Sequence, residues 1–347
     1  MTARVRVLVC GDFSSLTLPH SRQCADALEE LGCDVLRVNT EERRRERLKI
    51  LKRWSKSLAK CVGLKNRLSD YYVMRDFVAR NREVKHAFDQ FQPDGVLVIR
   101  GNALDAELLA HMRNQGSRLI GWWIKDIRRP ANLSTDISNY DLYYCIHRNL
   151  CRGGVRHLPA WCVDRTRYYP AELRDFRYAV VFVGTWNTKR QSFLDGLSHY
   201  NLGIVGPGWR TRTLTSNPAL ARKVVKYSMH GEELAQFYQS SRIVLNINQW
   251  EADEASGTTL RVADVPACGS FLLTEYSGGL DDLFELETEI CTFTTPAEMK
   301  QKIDYFLKHE AERERIALAG LERTRHLPSA KDRMQLILSD LSAQIRR

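Results

Sequence analysis

The residues best suited to chemistry lie between Ser256 and Phe284, in the run SGTTLRVADVPACGSFLLTEYSGGLDDLF. A loop of small residues, Ser256-Gly257-Thr258-Thr259, leads into a helix predicted over 260–267. Cys268-Gly269 ends that helix, 270–274 reads as a compact apolar strand, and Gly278-Gly279 follows closely. Loop amides that open onto a helix N-terminus are unpaired and sit at the positive end of the helix dipole, which makes a concave, electropositive site suited to a phosphate. The pair Gly278-Gly279 lets main chain approach a ligand with no Cβ in the way, or is an ordinary loop. Arg261 either adds charge to the same place or forms a surface ion pair with Asp264.

The elements that must position these residues alternate in type along the chain. Strands are predicted over 4–9, 34–38, 96–99, 119–124 and 141–146, with helices over 21–31, 71–91 and 105–114 between them. After a stiff stretch that includes Pro159 and Pro170, the pattern restarts with a strand over 179–183, the turn Gly184-Thr185 and a helix from about 188. Alternating β and α segments build doubly wound sheets, which bind ligands at the carboxyl ends of their strands. Three side chains attract interest on that ground. His20, in the loop after the first strand, either contacts a ligand or neighbours a helix cap; Asp126, beyond the fourth strand, either touches substrate or caps a turn. Trp209, after Gly206-Pro207-Gly208, is either a stacking face or core. The chain closes with a charged helical region over 297–318 and an amphipathic helix over 331–345.

A length of 347 residues is comfortable for two domains, and 44% apolar with 27% charged residues is the composition of a globular protein. No apolar run approaches the roughly 20 residues of a membrane span, and the opening MTARVRVLVCGDF reads as a strand rather than an export signal, so a cytoplasmic protein is expected. Nine scattered cysteines read as reduced thiols, with no metal-ligand spacing and hence no metal site expected. The net charge of +10 is concentrated: between Glu41 and Lys60 nine basic residues face three acidic ones. Leu51, Trp54, Leu58 and Val62 recur at helical spacing there, which makes 42–62 a basic amphipathic helix. It is either a solvated face packed on the first domain or a peripheral contact with anionic membrane or acceptor; no nucleic-acid module accompanies the charge, and nucleic acid is not expected.

The run Gly257…Arg261-Val-Ala-Asp264-Val-Pro-Ala-Cys268-Gly269…Leu273-Thr274-Glu275 resembles the C-terminal half of the CgeB-like spore-maturation proteins, among the group 1 glycosyltransferases. Upstream, VVFVGTWNTKRQSFLDGL, LGIVGPGW and HGEELAQFYQSSRIVLNIN continue the resemblance, and GVLVIRGNALDAELLAHMRNQGSRLIGWWIKD is similar to the N-terminal domain of the same family. The resemblance implies an α/β protein of the GT-B type, with two doubly wound Rossmann-like domains facing a central cleft. The expected divisions are an acceptor-side domain over 1–158, a donor domain over 159–330, and a last helix over 331–347 returning toward the first domain.

It further implies transfer of a hexosyl-type sugar from a nucleotide-diphosphate sugar to a hydroxyl of a polysaccharide, glycolipid or protein glycan, with retention at the anomeric carbon and no metal or other cofactor. Lys189 and Arg190, after the Gly184-Thr185 turn, resemble the basic pair that group 1 enzymes place on the diphosphate. The amides of Ser256, Gly257, Thr258 and Thr259, with Arg261, would complete the cradle, and Gly278-Gly279 resembles a close main-chain approach to the donor. The base would lie against Gly208-Trp209. In the family's Glu-x7-Glu pattern the ribose position falls on Asp264, whereas the sugar position falls on Ser256, a neutral hydroxyl where the family has an acid. That departure is the best evidence for one alternative, a GT-B-fold binding protein with weak or no turnover; a nucleotide-sugar epimerase of doubly wound type is a separate alternative.

Overall fold

The computed structural model describes residues 4–13, 20–40, 65–100, 104–124, 136–159, 162–165, 167–172, 175–249 and 258–345. The basic run 42–62, Asp126, Ser256 and Gly257 lie outside them. The chain divides into two compact units, one made of Met1–Cys145, Cys151–Arg156 and Met334–Arg347, the other of Ile146–Leu150 and His157–Arg333.

In the first unit, β1 (Arg6–Gly11), α1 (His20–Glu30), β2 (Asp34–Asn39), α2 (Lys65–Phe91), β3 (Gly95–Ile99), α3 (Ala106–Asn114), β4 (Arg118–Trp123) and β5 (Leu142–Cys145) alternate along the chain, followed by the short β6 (Val155–His157). The sheet order is β2-β1-β3-β4-β5-β6, and β1 to β5 pair in parallel. β3 is buried along its whole length, as expected of a central parallel strand covered on both faces. The last helix, α11 (Ala330–Ile345), contributes Asp340, which accepts a hydrogen bond from the Tyr144 hydroxyl and pairs with Arg156.

The second unit repeats the plan with β7 (Tyr178–Val183), α4 (Thr188–Leu194), β8 (Leu202–Val205), α5 (Trp209–Ser216), α6 (Pro218–Ala221), β9 (Val224–Lys226), α7 (Gly231–Gln239), β10 (Ser241–Asn246), α8 (Arg261–Ala267), β11 (Leu272–Glu275), β12 (Cys291–Phe293), α9 (Pro296–Lys308) and α10 (Glu310–His326). Its six strands are all parallel, in the order β12-β11-β10-β7-β8-β9. Cores lie on both faces of this sheet, one including Phe182, Trp209, Phe271 and Phe293, the other Val181, Tyr238, Val244 and Leu280. The chain moves outward from β7 through β8 to β9 and then returns to the other side of β7 with β10. The topological switch point therefore falls between β7 and β10, where the loops at their carboxyl ends diverge and leave a crevice.

The charged helical region over 297–318 falls in two helices, α9 and α10, divided at His309, whose φ of −104° and ψ of 70° leave the helical region. Among the described residues no helix is long and apolar enough to cross a membrane, and every cysteine is a free thiol.

α8 packs against α10, where Gly320 faces Pro266 of α8 and the Glu289 carbonyl. A Cβ there would meet the Glu289 carbonyl oxygen at 2.4 Å and the Pro266 Cβ at 3.4 Å. Helix propensity alone favours alanine over glycine by about 1 kcal/mol. The backbone contact should outweigh it, so Gly320→Ala is expected to lower unfolding stability by on the order of 2 kcal/mol, measured by denaturant titration.

Candidate active site

At the carboxyl end of β7 the turn 184–187 gives way to α4, capped by Asn187, whose side chain accepts from the Arg190 N–H at 2.7 Å. That cap puts Lys189 and Arg190 in the first turn of the helix, beside the switch point. Successive residues leave a helix in different directions, and these two cations have different surroundings.

Arg190 is 4% exposed and bridges the switch point: Nε donates to the Ile247 carbonyl beyond β10 at 2.9 Å, and Nη1 donates to the Thr185 carbonyl beyond β7 at 2.9 Å. Its guanidinium lies 5.6 Å from the Phe182 ring centroid. Burial above all, and then the neighbouring Arg261 charge, lower its pKa, with Glu275 opposing. A guanidinium so placed stays protonated at neutral pH and ties two loops together while keeping its positive field. Lys189 turns instead to Glu275, the last residue of β11, with Nζ to Oε1 at 2.6 Å. The other oxygen of Glu275 accepts from the Asn248 backbone N–H at 2.8 Å.

A third cation joins from α8. Arg261 donates through Nη1 to Asn246 Oδ1 at 3.0 Å, and the Thr259 hydroxyl donates to the same oxygen at 3.1 Å. The amide of Asn246, fully buried at the end of β10, donates in turn to the Thr274 hydroxyl at 2.8 Å. Arg261 is thus an Asn246 partner rather than half of a surface ion pair with Asp264. Among the described residues, the carboxyl edge of this sheet gathers three cations, Lys189, Arg190 and Arg261, with Glu275 paired to Lys189 and the carboxyl of Asp264 near Arg261. Thr258 and Thr259 are half-buried at the entrance to α8.

Asp264, in the first turn of α8, is buried, and its pKa is raised well above the usual carboxylate range. Burial is the main cause and the nearby charge of Asp164 the second, with Arg261 acting the other way. The group is therefore disposed to hold a proton and act as both donor and acceptor toward hydroxyls.

The glycine turns are packed backbone against backbone. A Cβ on Gly206 would lie 1.9 Å from the Gly184 carbonyl oxygen, and the Gly184 N–H donates to Val205 O at 2.8 Å. Gly208, with φ of 86°, caps α5. Gly278 and Gly279 are half-buried beyond β11, and Gly279 has φ of 93°.

Two residues singled out by their type have other employment. Trp209 is fully buried, donating its indole N–H to the Gly184 carbonyl at 2.7 Å and packing edge-on to Phe182, so it has no face for a base. Trp186 at this edge is half-exposed, with the Arg212 guanidinium 5.2 Å from its ring centroid. His20 opens α1 at 2% exposure, edge-on to Trp122 at 4.7 Å, and is a core residue of the first unit. Glu275, Asn246, Asn248 and Thr274 were not singled out from the sequence; the available signal was polar residues at the carboxyl ends of two otherwise apolar strands.

Residues 189–339 match the model of a family described as glycosyl transferase-like. No curated protein matches the chain in sequence. Among solved structures, a glycosyltransferase from Rickettsia africae is similar over 99% of both chains, with 11% identity and a TM-score of 0.66. Sucrose-phosphate synthase from Thermosynechococcus elongatus is similar over 99% of both chains, with 13% identity and a TM-score of 0.68. The Anabaena protein HepE, solved in complex with UDP-glucose, is similar over 97% of this chain and 100% of its own, with 11% identity and a TM-score of 0.63. The two six-stranded Rossmann-like sheets and these likenesses together show that the chain has the GT-B fold.

Proposed function

We propose that this chain is a glycosyltransferase that binds a nucleotide-diphosphate sugar at the carboxyl edge of the second sheet and transfers the sugar to a hydroxyl acceptor. One observation carries the reading: Lys189, Arg190 and Arg261 converge where a doubly wound sheet presents its crevice. A diphosphate answers such a cluster, because charge-assisted hydrogen bonds to phosphate oxygens are strong and the loop amides before α8 add donors. The glycosyl transferase-like match and the UDP-glucose complex of the Anabaena protein support the donor class.

In the reaction, the bond from the anomeric carbon to the diphosphate oxygen breaks and the diphosphate keeps the electron pair. The acceptor oxygen takes its place and loses its proton. Negative charge grows on the leaving diphosphate, so cations fixed beforehand stabilise the transition state more than the ground state. Lys189 and Arg261 would contact it, while Arg190 acts through its field and by holding the two loops together. With three cations at the site, this reading invokes no metal. Asp264 would serve the ribose hydroxyls, and retention of anomeric configuration follows the group 1 resemblance.

A thermal-shift screen with UDP, GDP, dTDP and their sugars is expected to raise the melting temperature with one nucleotide series. Lys189→Met should reduce that shift and lower donor turnover by about 100-fold or more. A chain stabilised by none of the nucleotides, or a variant with unaltered turnover, would overturn the reading.

Asp264 gives a second test. A carboxyl whose folded pKa lies above its unfolded one costs nothing below the unfolded value of about 3.9 and destabilises increasingly as pH rises from there toward the folded value. Asp264→Asn should therefore raise the melting temperature by a few degrees at pH 7 to 8, with the gain vanishing below about pH 4. The same variant should bind the nucleotide more weakly.

A further inference from the structure

We infer that Glu275 is a positioning residue: its carboxylate, fixed by the Asn248 backbone N–H, sets the place of the Lys189 ammonium from which that cation grips a diphosphate. The inference rests on the site reading above and adds to it a role for an anion, which would by itself repel the ligand.

The geometry has two parts. Glu275 is 3% exposed, and Oε2 is bound to a main-chain donor, Asn248 N–H, at 2.8 Å. The backbone there is held again by the Asn248 side chain, which donates to the Glu275 carbonyl at 3.4 Å, and by the Thr274 hydroxyl, which donates to the same carbonyl at 3.1 Å. The carboxylate is thus anchored to main chain just beyond the ends of β10 and β11. Its second oxygen meets Lys189 Nζ at 2.6 Å. Lysine is a point charge on a flexible four-carbon stem, and without a fixed partner its ammonium spreads over several rotamers. Arg190 has no such freedom, being held by two carbonyls.

A plain electrostatic account and a positioning account predict opposite signs. Removing a negative charge from a cationic site strengthens attraction for an anion by Coulomb's law. Removing the anchor of the gripping cation weakens binding despite the gain in positive charge. The decisive experiment is a double-mutant cycle of wild type, Lys189→Met, Glu275→Gln and the double variant, titrated calorimetrically with UDP, GDP and dTDP, with thermal melts as a control for folding.

The expected result is that Glu275→Gln weakens the favoured nucleoside diphosphate by about fivefold or more and has less than about a twofold effect in the Lys189→Met background. Tighter or unaltered binding in Glu275→Gln would overturn the inference, as would an equal loss in both backgrounds, which marks a general structural role. Glu275→Asp covers the case in which the glutamine variant does not fold. It keeps the charge but is one methylene too short to span both partners, so it should also weaken binding; wild-type affinity in it would overturn the inference. If wild type binds none of the three diphosphates, the site reading itself falls and this inference with it. If wild type binds and Lys189→Met weakens binding while neither Glu275 variant does, the inference alone falls.

Discussion

The constraint on which the site depends is the crossing of the β7–β10 switch point by one buried guanidinium. Strand order reverses there, and beyond the β7–β10 ladder the two loops are joined by side chains, among them Asn187, which donates to the Gln249 carbonyl at 3.4 Å. Arg190 contributes to that join two N–H donors aimed at the Thr185 and Ile247 carbonyls. A buried charge with good hydrogen bonds is expensive to remove, since truncation would leave both carbonyls without their donor. Arginine suits the task because its fork presents donors in fixed directions, whereas lysine could reach one carbonyl at a time.

Once the two loops are joined, the remaining polar groups fall into two strands of one network. On the β10 side, Asn246 takes Arg261 and Thr259 on its oxygen and gives its amide to Thr274. On the β11 side, Glu275 takes Lys189 and the Asn248 N–H. Thr274 joins the two by donating to the Glu275 carbonyl. Each cation is therefore fixed by an acceptor at a strand end, and strand ends in a buried parallel sheet are among the more rigid places in such a fold. A site built this way keeps its geometry before any ligand arrives, which is what electrostatic stabilisation of a transition state requires.

Much of the fold was legible because it depends on local signals. Gly32 ends α1 with φ of 87° and Gly269 follows α8 with φ of 65°, each a glycine where the left-handed region is required. The alternation of apolar strands with helices carried the rest. The site was legible only in part. Adjacent cations at 189 and 190 can be seen in the sequence, but their division of labour cannot, because one more residue along a helix turns a side chain from the crevice toward the core. Trp209 and His20 drew attention by type, and tertiary burial assigned both to packing. Asn246, Thr274 and Glu275 carry little signal in the sequence, since a polar residue at the end of an apolar stretch becomes informative only when the neighbouring strand and its register are known.

The cluster also concentrates like charges. Arg261 disfavours the charged form of Arg190, and Asp164 disfavours the charged form of Asp264. Neither opposition helps the chain fold, and a sequence selected for stability alone would replace Asp264 with a neutral residue. Both become useful if a diphosphate with its ribose occupies the crevice: the anion relieves the repulsion between the cations, and a protonated carboxyl meets the sugar hydroxyls. Binding then draws on electrostatic strain already present in the folded chain. A ligand lacking the phosphates would relieve none of the repulsion between cations, so on the proposed reading a preference for diphosphate over nucleoside would be set by the same residues whose like charges oppose folding.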